Sequence, residues 1–121
     1  DSSKKAGEYL VARYMYERDE VVYVLCLDSK CKGICCKELF RGVANSAEIS
    51  VRKIAELALA KNATSVIISH NHTSGIALPS MDDEITTKRI KTALSSMGIT
   101  LADHIVVADE DFISMADSGL C

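Results

Sequence analysis

Two histidines and a carboxylate within one short stretch have the residue types and spacing of a metal site. His70 and His72 stand two residues apart, directly after an apolar run at 65–69, and Asp83 follows further along the chain. Side chains at positions i and i+2 of an extended chain leave the same face about 6.5–7 Å apart, so two imidazoles can converge on one ion. Two histidines and one carboxylate, with a fourth position open for water, form the ligand set of a catalytic zinc ion. The spacing therefore predicts a zinc site made of His70, His72 and Asp83.

Parts of this pattern also have a purely structural interpretation. Ser80 and Asp83 have the spacing of a capping box, in which the side chain of each residue bonds the backbone of the other at the start of a helix. A single histidine at either position would more often be an exposed loop residue than a ligand. The metal hypothesis therefore depends on the combination of both histidines, the preceding apolar strand and the returning carboxylate.

The rest of the chain predicts the helices and strands that would position this stretch. Apolar runs bounded by polar or turn residues predict five strands, at 21–27, 33–40, 65–69, 101–108 and 112–115. Helix-forming stretches predict three helices, at 3–18, 50–61 and 81–97. His70 and His72 would then lie in a loop at 70–80, and Asp83 in the first turn of the third helix.

The order of these elements predicts an α+β fold, with helices packed on a single mixed, mostly antiparallel sheet. The first two strands would pair as a hairpin, and a loop at 41–47 would follow them. We expect the third strand or the last hairpin to leave an open edge, to which a partner or a substrate strand could add.

The composition is typical of one soluble globular domain spanning residues 1–121, because 48% of the residues are apolar and 26% are charged. No apolar run reaches the roughly 18–20 residues that span a bilayer, and a (β/α)8 barrel needs about 250 residues. A net charge of −3 without a basic stripe does not support binding of nucleic acid. Because the chain starts at Asp1 rather than Met, we expect it to be a fragment of a longer chain.

The five cysteines indicate reduced thiols and a cytoplasmic location, because their number is odd, no secretory signal is present and Cys26 lies inside an apolar run. Cys31, Cys35 and Cys36 are close enough in sequence to suggest a metal site. A zinc knuckle needs a second cluster, however, and none follows. We therefore expect incidental thiols.

The motif His-x-His-x7-Ser-x2-Asp, formed by His70, His72, Ser80 and Asp83, is the signature of the JAMM (MPN+) zinc metalloprotease fold. The wider sequence resembles the RadC-like branch of that fold over roughly residues 8–116. The resemblance includes HNHTSG, the PS before the acidic residues, GI followed by DH, and the upstream segments EVVYVLCLDSK and ELFRGVANSAEIS.

The resemblance implies an MPN/JAMM-like fold, with layers arranged as in cytidine deaminases, and a zinc ion held by His70, His72 and Asp83. It implies that Ser80 hydrogen-bonds the reacting water or the developing oxyanion. The general base of this family is a glutamate just before the first strand, and Glu20 occupies that place.

Several other residues could also take part in the site. Glu38 and Glu48 are alternative candidates for the base, because either could lie near the same edge of the sheet. Thr73 stands where the RadC-like pattern usually has proline, so the loop loses a rigid residue while the ligands stay intact. His104 matches a histidine of that pattern, and we expect it to be hydrogen-bonded at the start of a strand. Asp103 could orient a ligand.

The expected function is zinc-dependent hydrolysis of peptide or isopeptide bonds, on a peptide or protein substrate, with Glu20 moving the proton and Ser80 stabilising the oxyanion. Two alternatives stay open. One is a nuclease or phosphodiesterase, since RadC-like proteins are associated by name with DNA repair. The other is a non-catalytic interaction module that contains a metal ion.

Overall fold

Five strands form one sheet in the computed structural model, which describes residues 2–42 and 49–121. The strands are β1 (Val21–Leu27), β2 (Gly33–Arg41), β3 (Ser65–Asn71), β4 (Thr100–Ala108) and β5 (Asp111–Ser114). They lie in the order β2-β1-β3-β4-β5, in which β3 and β4 are parallel and the other neighbours are antiparallel. The predicted mixed, mostly antiparallel sheet is confirmed, and so is the hairpin of β1 and β2.

Three helices cover the two faces of this sheet. Helix α1 (Ser2–Tyr14) packs on one face, here called the α1 face, where Leu10 and Tyr14 contribute to an apolar core. Helices α2 (Val51–Ala60) and α3 (Met81–Ser95) pack on the other, the α3 face, where Ile54 and Ile90 contribute to a second core. The predicted α+β fold, with helices packed on a single sheet, is therefore confirmed. Among the described helices, none has the length and apolar character needed to cross a membrane.

Strand β3 is the central strand, and it extends two residues further than predicted. It includes His70 and Asn71, which the sequence placed in a loop, and both are buried. Their polar side chains made a strand improbable, but β4 pairs with both residues and β1 also pairs with His70, so tertiary pairing overrides the local preference. The expectation of an open edge at the third strand is therefore wrong. Within the described residues the edges are β2 and β5, the latter belonging to the last hairpin.

Two helices end earlier than predicted. Helix α1 ends at Tyr14, and Tyr16 has a left-handed φ of 71°, which a continuing helix does not allow. Helix α3 ends at Ser95, and Gly98 follows with a φ of 76°, which glycine adopts readily. The predicted loop at 41–47 begins inside β2, and residues 43–47 of it lie outside the described residues.

One extra residue in β4 decides which of its side chains face α3. Leu101 and Asp103 pair with successive residues of β3, so Ala102 between them has no partner in that strand. Because successive side chains of a strand point to opposite faces, such a bulge reverses the face of every residue that follows. Asp103 therefore lies on the α1 face, and His104 lies on the α3 face.

Candidate metal centre

The three predicted ligands converge at the carboxyl end of β3. His70 belongs to this strand and is only 4% exposed, His72 follows it directly, and Asp83 comes from the first turn of α3 and is 3% exposed. His70 Nε2 and His72 Nε2 are 3.0 Å apart, Asp83 Oδ1 is 3.4 Å from His70 Nε2, and Asp83 Oδ2 is 3.4 Å from His72 Nε2. The structure thus brings together residues from two elements that the sequence separates by a loop.

These distances fit a divalent ion of the size of zinc. Four ligands at about 2.0–2.1 Å from a tetrahedral zinc ion are about 3.3 Å from one another. The group formed by His70, His72 and Asp83 can hold a metal ion, since one ligand atom of each lies within 4.8 Å of the others. In the described part of the chain no other three histidine, cysteine or carboxylate groups converge in this way, so the thiols at positions 31, 35 and 36 do not form a second site.

Two hydrogen bonds hold His72 although it lies beyond the end of β3. Its backbone N–H donates to the carbonyl of Val107 at 2.8 Å, which continues the pairing with β4. Its Nδ1 is 3.0 Å from the carbonyl oxygen of Ile76, and because a carbonyl can only accept, Nδ1 carries the proton of the neutral ring. Nε2 is then free to bind a metal. These bonds position His72 even though Thr73 replaces the usual proline.

Asp83 has both of the roles that the sequence allowed. Its backbone N–H donates to Ser80 Oγ at 3.1 Å, and its Oδ2 accepts from the backbone N–H of Ser80 at 2.8 Å, which completes the capping box of α3. Burial alone would raise the pKa of Asp83, but the imidazoles of His70 and His72 beside it outweigh burial and hold the pKa well below its usual range. Asp83 is therefore a carboxylate at neutral pH. Conversely, the carboxylate of Asp83 favours the protonated ring of His72 and so raises the pKa of His72 against the opposing effect of burial.

Behind His70 lies His104, which is completely buried in the middle of β4. Its Nε2 is 2.7 Å from His70 Nδ1, and its Nδ1 is 2.6 Å from Thr87 Oγ1 in α3. Burial lowers the pKa of His104 to about 3, so its ring is neutral. The expected hydrogen-bonded role is found, although in the middle of the strand rather than at its start. Asp103, expected to orient a ligand, instead accepts hydrogen bonds from Ser114 Oγ and from the backbone on the α1 face.

Glu20 lies beside this centre, one residue before β1. Val22 of β1 pairs with His70 of β3, so Glu20, two residues before Val22, comes from the same end of the sheet as the centre. The charge of Glu20 also helps to raise the pKa of His72, although less than the carboxylate of Asp83 does. Glu20 is thus near the centre without being one of its three converging groups.

Asn71 fixes the backbone on both sides of Glu20, and it is the site residue that the sequence interpretation missed. Its Oδ1 accepts from the backbone N–H of Val21 at 2.7 Å, and its Nδ2 donates to the carbonyl of Asp19 at 2.9 Å. The carbonyl of Glu20 accepts from the backbone N–H of Gly42 at 3.0 Å. The position of Asn71 between two predicted ligands was a signal, but its partners depend on the pairing of β3 with β1.

Neither alternative candidate for the general base, Glu38 or Glu48, is found at the centre in the described residues. Glu38 pairs opposite Tyr23 on the α1 face, and its Oε1 accepts from Arg41 Nη2 at 2.8 Å. Arg41 also binds Glu17, so Glu38 belongs to an ion-pair cluster rather than to the metal centre. Glu48 lies outside the described residues.

An open cleft of about 860 Å³ lies beside α1 on the α1 face and includes His72, but neither His70 nor Asp83 lines it. Its lining includes four carboxylates and one guanidinium, those of Glu17, Asp109, Glu110, Asp111 and Arg18, so it is acidic on balance. A second cavity, of about 720 Å³, lies on the α1 face at the opposite ends of the strands and includes none of the three ligands.

Comparison with known proteins shows the family of the chain. Residues 1–120 match the family model described as a RadC-like JAB domain. Over 112 residues, which is 93% of the chain and 50% of each relative, the chain is 44% identical to a UPF0758 protein of Nitrosococcus oceani and 43% identical to UPF0758 proteins of Shewanella pealeana and Shewanella baltica. The chain therefore spans about half the length of these relatives. By its sequence match over nearly its whole length, the chain belongs to the RadC-like JAB domain family.

Proposed function

We propose that the chain is a zinc-dependent hydrolase of peptide or isopeptide bonds, with His70, His72 and Asp83 as the metal ligands. The observation that carries the proposal is the convergence of two imidazole nitrogens and a carboxylate within 4.8 Å, in a member of the RadC-like JAB domain family. The donor set agrees with zinc, which is bound well by two histidines and a carboxylate.

The protein's own residues would bind, orient and move protons at this centre. A zinc ion there supplies Lewis-acid chemistry, since it lowers the pKa of water toward about 7 and polarises a carbonyl group. Glu20, whose charge acts on His72, accepts a proton from the attacking water and delivers one to the leaving amine. Ser80 Oγ accepts a hydrogen bond from Asp83 N at 3.1 Å, which leaves the hydroxyl proton to stabilise an oxyanion. The helix cap and the catalytic role of Ser80 are therefore compatible.

The charge of the neighbouring cleft favours an amide substrate over a phosphodiester. Asp109, Glu110 and Asp111 contribute three negative charges to the cleft that includes His72, and Arg18 is the cation among its charged lining residues. A polyanionic nucleic acid would be repelled by this lining. A peptide or protein segment would not, and we propose such a segment as the substrate. The cytoplasmic location and the extent of the domain within a longer protein stay predictions.

The metal site is tested by measuring the metal content of the purified chain and its variants by plasma mass spectrometry. We expect about one zinc ion per chain in the parent, and a large loss in His70→Ala and Asp83→Asn. Asp83→Asn is the sharper variant, because the amide oxygen can still accept the capping bond from Ser80 N, so α3 is kept while the ligand charge is removed. Parent-level zinc in both variants would contradict the proposed ligand set.

The reaction class is tested with Glu20→Gln, compared with Glu56→Gln on the exposed surface of α2 as the matched control. A mixture of peptides and isopeptides, followed by mass spectrometry, reports amide cleavage, and bis(4-nitrophenyl) phosphate reports phosphodiester cleavage. We expect amide cleavage by the parent and by Glu56→Gln, and its loss in Glu20→Gln with zinc retained. Cleavage of the phosphodiester alone would favour the nuclease alternative. Zinc without turnover on either substrate would favour the interaction module.

A further inference from the structure

We infer that His104 is a positioning residue for His70: it holds the ring of His70 in the orientation and tautomer that present Nε2 to the metal. The inference rests on the proposed metal site and concerns a residue that binds no metal itself. It is carried by an unbroken chain of buried hydrogen bonds from α3 through β4 to β3.

This series of hydrogen bonds joins the side chains of His70, His104 and Thr87 on the α3 face. His104 pairs with Ile68, one strand over and two residues before His70, so the bulge at Ala102 places its ring behind that of His70. The ring centroids of His70 and His104 are 4.8 Å apart, and His70 Nδ1 is 2.7 Å from His104 Nε2. On the far side, His104 Nδ1 is 2.6 Å from Oγ1 of Thr87, which is also fully buried.

The hydrogen bonds of this series can run in either of two directions, because each neutral imidazole carries one N–H and can donate through only one of its two nitrogens. In the first, His70 Nδ1 donates to His104 Nε2, His104 Nδ1 donates to Thr87 Oγ1, and the Thr87 hydroxyl donates to Met115 Sδ at 3.7 Å. In the second, Thr87 donates to His104 Nδ1, His104 Nε2 donates to His70 Nδ1, and the proton of His70 moves to Nε2. Both directions contain the same number of protons.

Only the first direction is compatible with a metal ligand at position 70. It leaves a lone pair on His70 Nε2, which is 3.0 Å from His72 Nε2 and 3.4 Å from Asp83 Oδ1. His72 needs no such partner, because the carbonyl of Ile76 already fixes its tautomer. A metal-ligating histidine commonly donates its second N–H to a carboxylate, a carbonyl or water. Here the acceptor is the buried ring of His104.

The variants His104→Gln and His104→Leu separate this role from simple core filling. Glutamine has an oxygen that can accept from His70 Nδ1 and an NH₂ group that can donate to Thr87. Leucine fills a similar volume without either group. Ile68→Val is the matched control, because it changes core packing next to His104 and no polar contact.

Zinc affinity of the 121-residue chain is measured by competition with a fluorescent chelator, with circular dichroism as the check of folding. We expect His104→Leu to weaken zinc binding by about 10–100-fold, His104→Gln to recover most of this loss, and Ile68→Val to bind as the parent does. If His104→Leu binds zinc as tightly as the parent does, the inference about His104 is wrong, while the proposed function is unaffected. A parent chain that binds no zinc overturns the proposed function as well.

Nitrogen-15 NMR of the histidine rings gives a readout that needs no variant and therefore no refolded mutant. In the zinc-loaded parent we expect His104 to carry its proton on Nδ1, His70 to carry its proton on Nδ1, and the Nε2 signal of His70 to be shifted by the metal. A zinc-loaded chain in which His104 is protonated on Nε2 would show that it does not accept from His70, and the inference would be wrong.

Discussion

At the scale of single residues, the amide of Asn71 has the most influence on where Glu20 lies. It binds the backbone at Val21 and Asp19, the residues on either side of Glu20, with distances of 2.7 and 2.9 Å. An aspartate here could accept the bond from Val21 but could not donate to Asp19. The side chain must therefore be an amide to hold both backbone groups.

Asn71→Ala should lower both stability and turnover while zinc is retained. The buried N–H of Val21 and the partly buried carbonyl of Asp19 lose their partner, which we expect to reduce the free energy of unfolding by about 1–3 kcal/mol. Amide hydrolysis should fall further than the metal content does, because Glu20 is no longer held. Urea unfolding and plasma mass spectrometry measure the two effects.

The matched control is Asn62→Gly, which removes an exposed amide at a residue whose φ of 53° suits glycine. We expect its free energy of unfolding to stay within about 0.5 kcal/mol of the parent. An Asn71→Ala chain as stable as this control would mean that the two hydrogen bonds do not hold the start of β1.

The cysteines should differ sharply in reactivity. Burial, assisted by the hydrogen bond with Cys35, raises the pKa of Cys26 to about 12, while Cys31 is exposed. Because the thiolate is the reactive form, raising the pH from 7 to 9 should speed alkylation of Cys31 by iodoacetamide and leave Cys26 unlabelled in the folded chain. Peptide mapping measures the labelling. Rapid native labelling of Cys26 at pH 8 would contradict its assigned burial.

The three converging residues of the candidate centre could be predicted from the sequence, and the residues that support them could not. His70, His72 and Asp83 are encoded by local spacing, which an extended segment and a helix start convert directly into geometry. The contact of His104 depends on the bulge at Ala102, and that of Asn71 on the pairing of β3 with β1. Neither depends on local sequence, since both are set by how distant strands align.

At the scale of elements, the first turn of α3 also forms one side of the candidate metal centre. Ser80 and Asp83 bond each other's backbone, so the same two residues cap the helix and bring a carboxylate to the histidines. The cap and the centre therefore form together.

Ser80→Ala and Ser80→Asp should separate these two roles. Alanine removes the cap and is expected to lower the free energy of unfolding by about 0.5–2 kcal/mol. Aspartate restores the cap but cannot donate a hydrogen bond to an oxyanion. We therefore expect turnover to be low in both variants, and stability to be low only in the first, as measured by urea unfolding and by peptide cleavage.

Ser50→Ala is the matched control, because Ser50 caps α2 by accepting from Lys53 N at 3.2 Å and has no part in the centre. It should lose stability as Ser80→Ala does and keep its turnover per folded chain. Full turnover in Ser80→Asp would show that the hydroxyl proton is not used.

Most elements could be predicted from the sequence, because apolar runs between turn residues define β1, β2 and β4. The errors lie where tertiary contacts decide. The polar residues at the end of β3 are strand because neighbouring strands pair with them there. The end of α1 is fixed by the backbone at Tyr16, whose residue type gives no sign of a left-handed φ.

At the scale of the whole molecule, the centre exists only when β3 and α3 pack together on the α3 face. The unfolded chain has the three ligands but does not hold them within 4.8 Å of one another. If the chain binds a metal ion as proposed, that binding is linked to folding.

Zinc should raise the thermal stability of the chain, and a chelator should remove the gain. At free zinc of about 100 times the dissociation constant, linkage adds about 2.7 kcal/mol to the free energy of unfolding. We expect a higher Tm with zinc in the parent and no shift in Asp83→Asn, measured by differential scanning fluorimetry. Equal zinc-dependent shifts in both chains would place the binding elsewhere.

The bulge in β4 has a consequence for folding as well as for the centre. Beyond it, Ile105, Val106 and Val107 are buried on both faces, so a slip of one residue would exchange one apolar side chain for another at little cost. Asp103 and His104 do not tolerate that exchange, because each finds its partners on one face only. These two polar residues therefore fix the register of β4 against β3. The imidazole of His104, which contacts His70, thus also selects the correct strand alignment during folding.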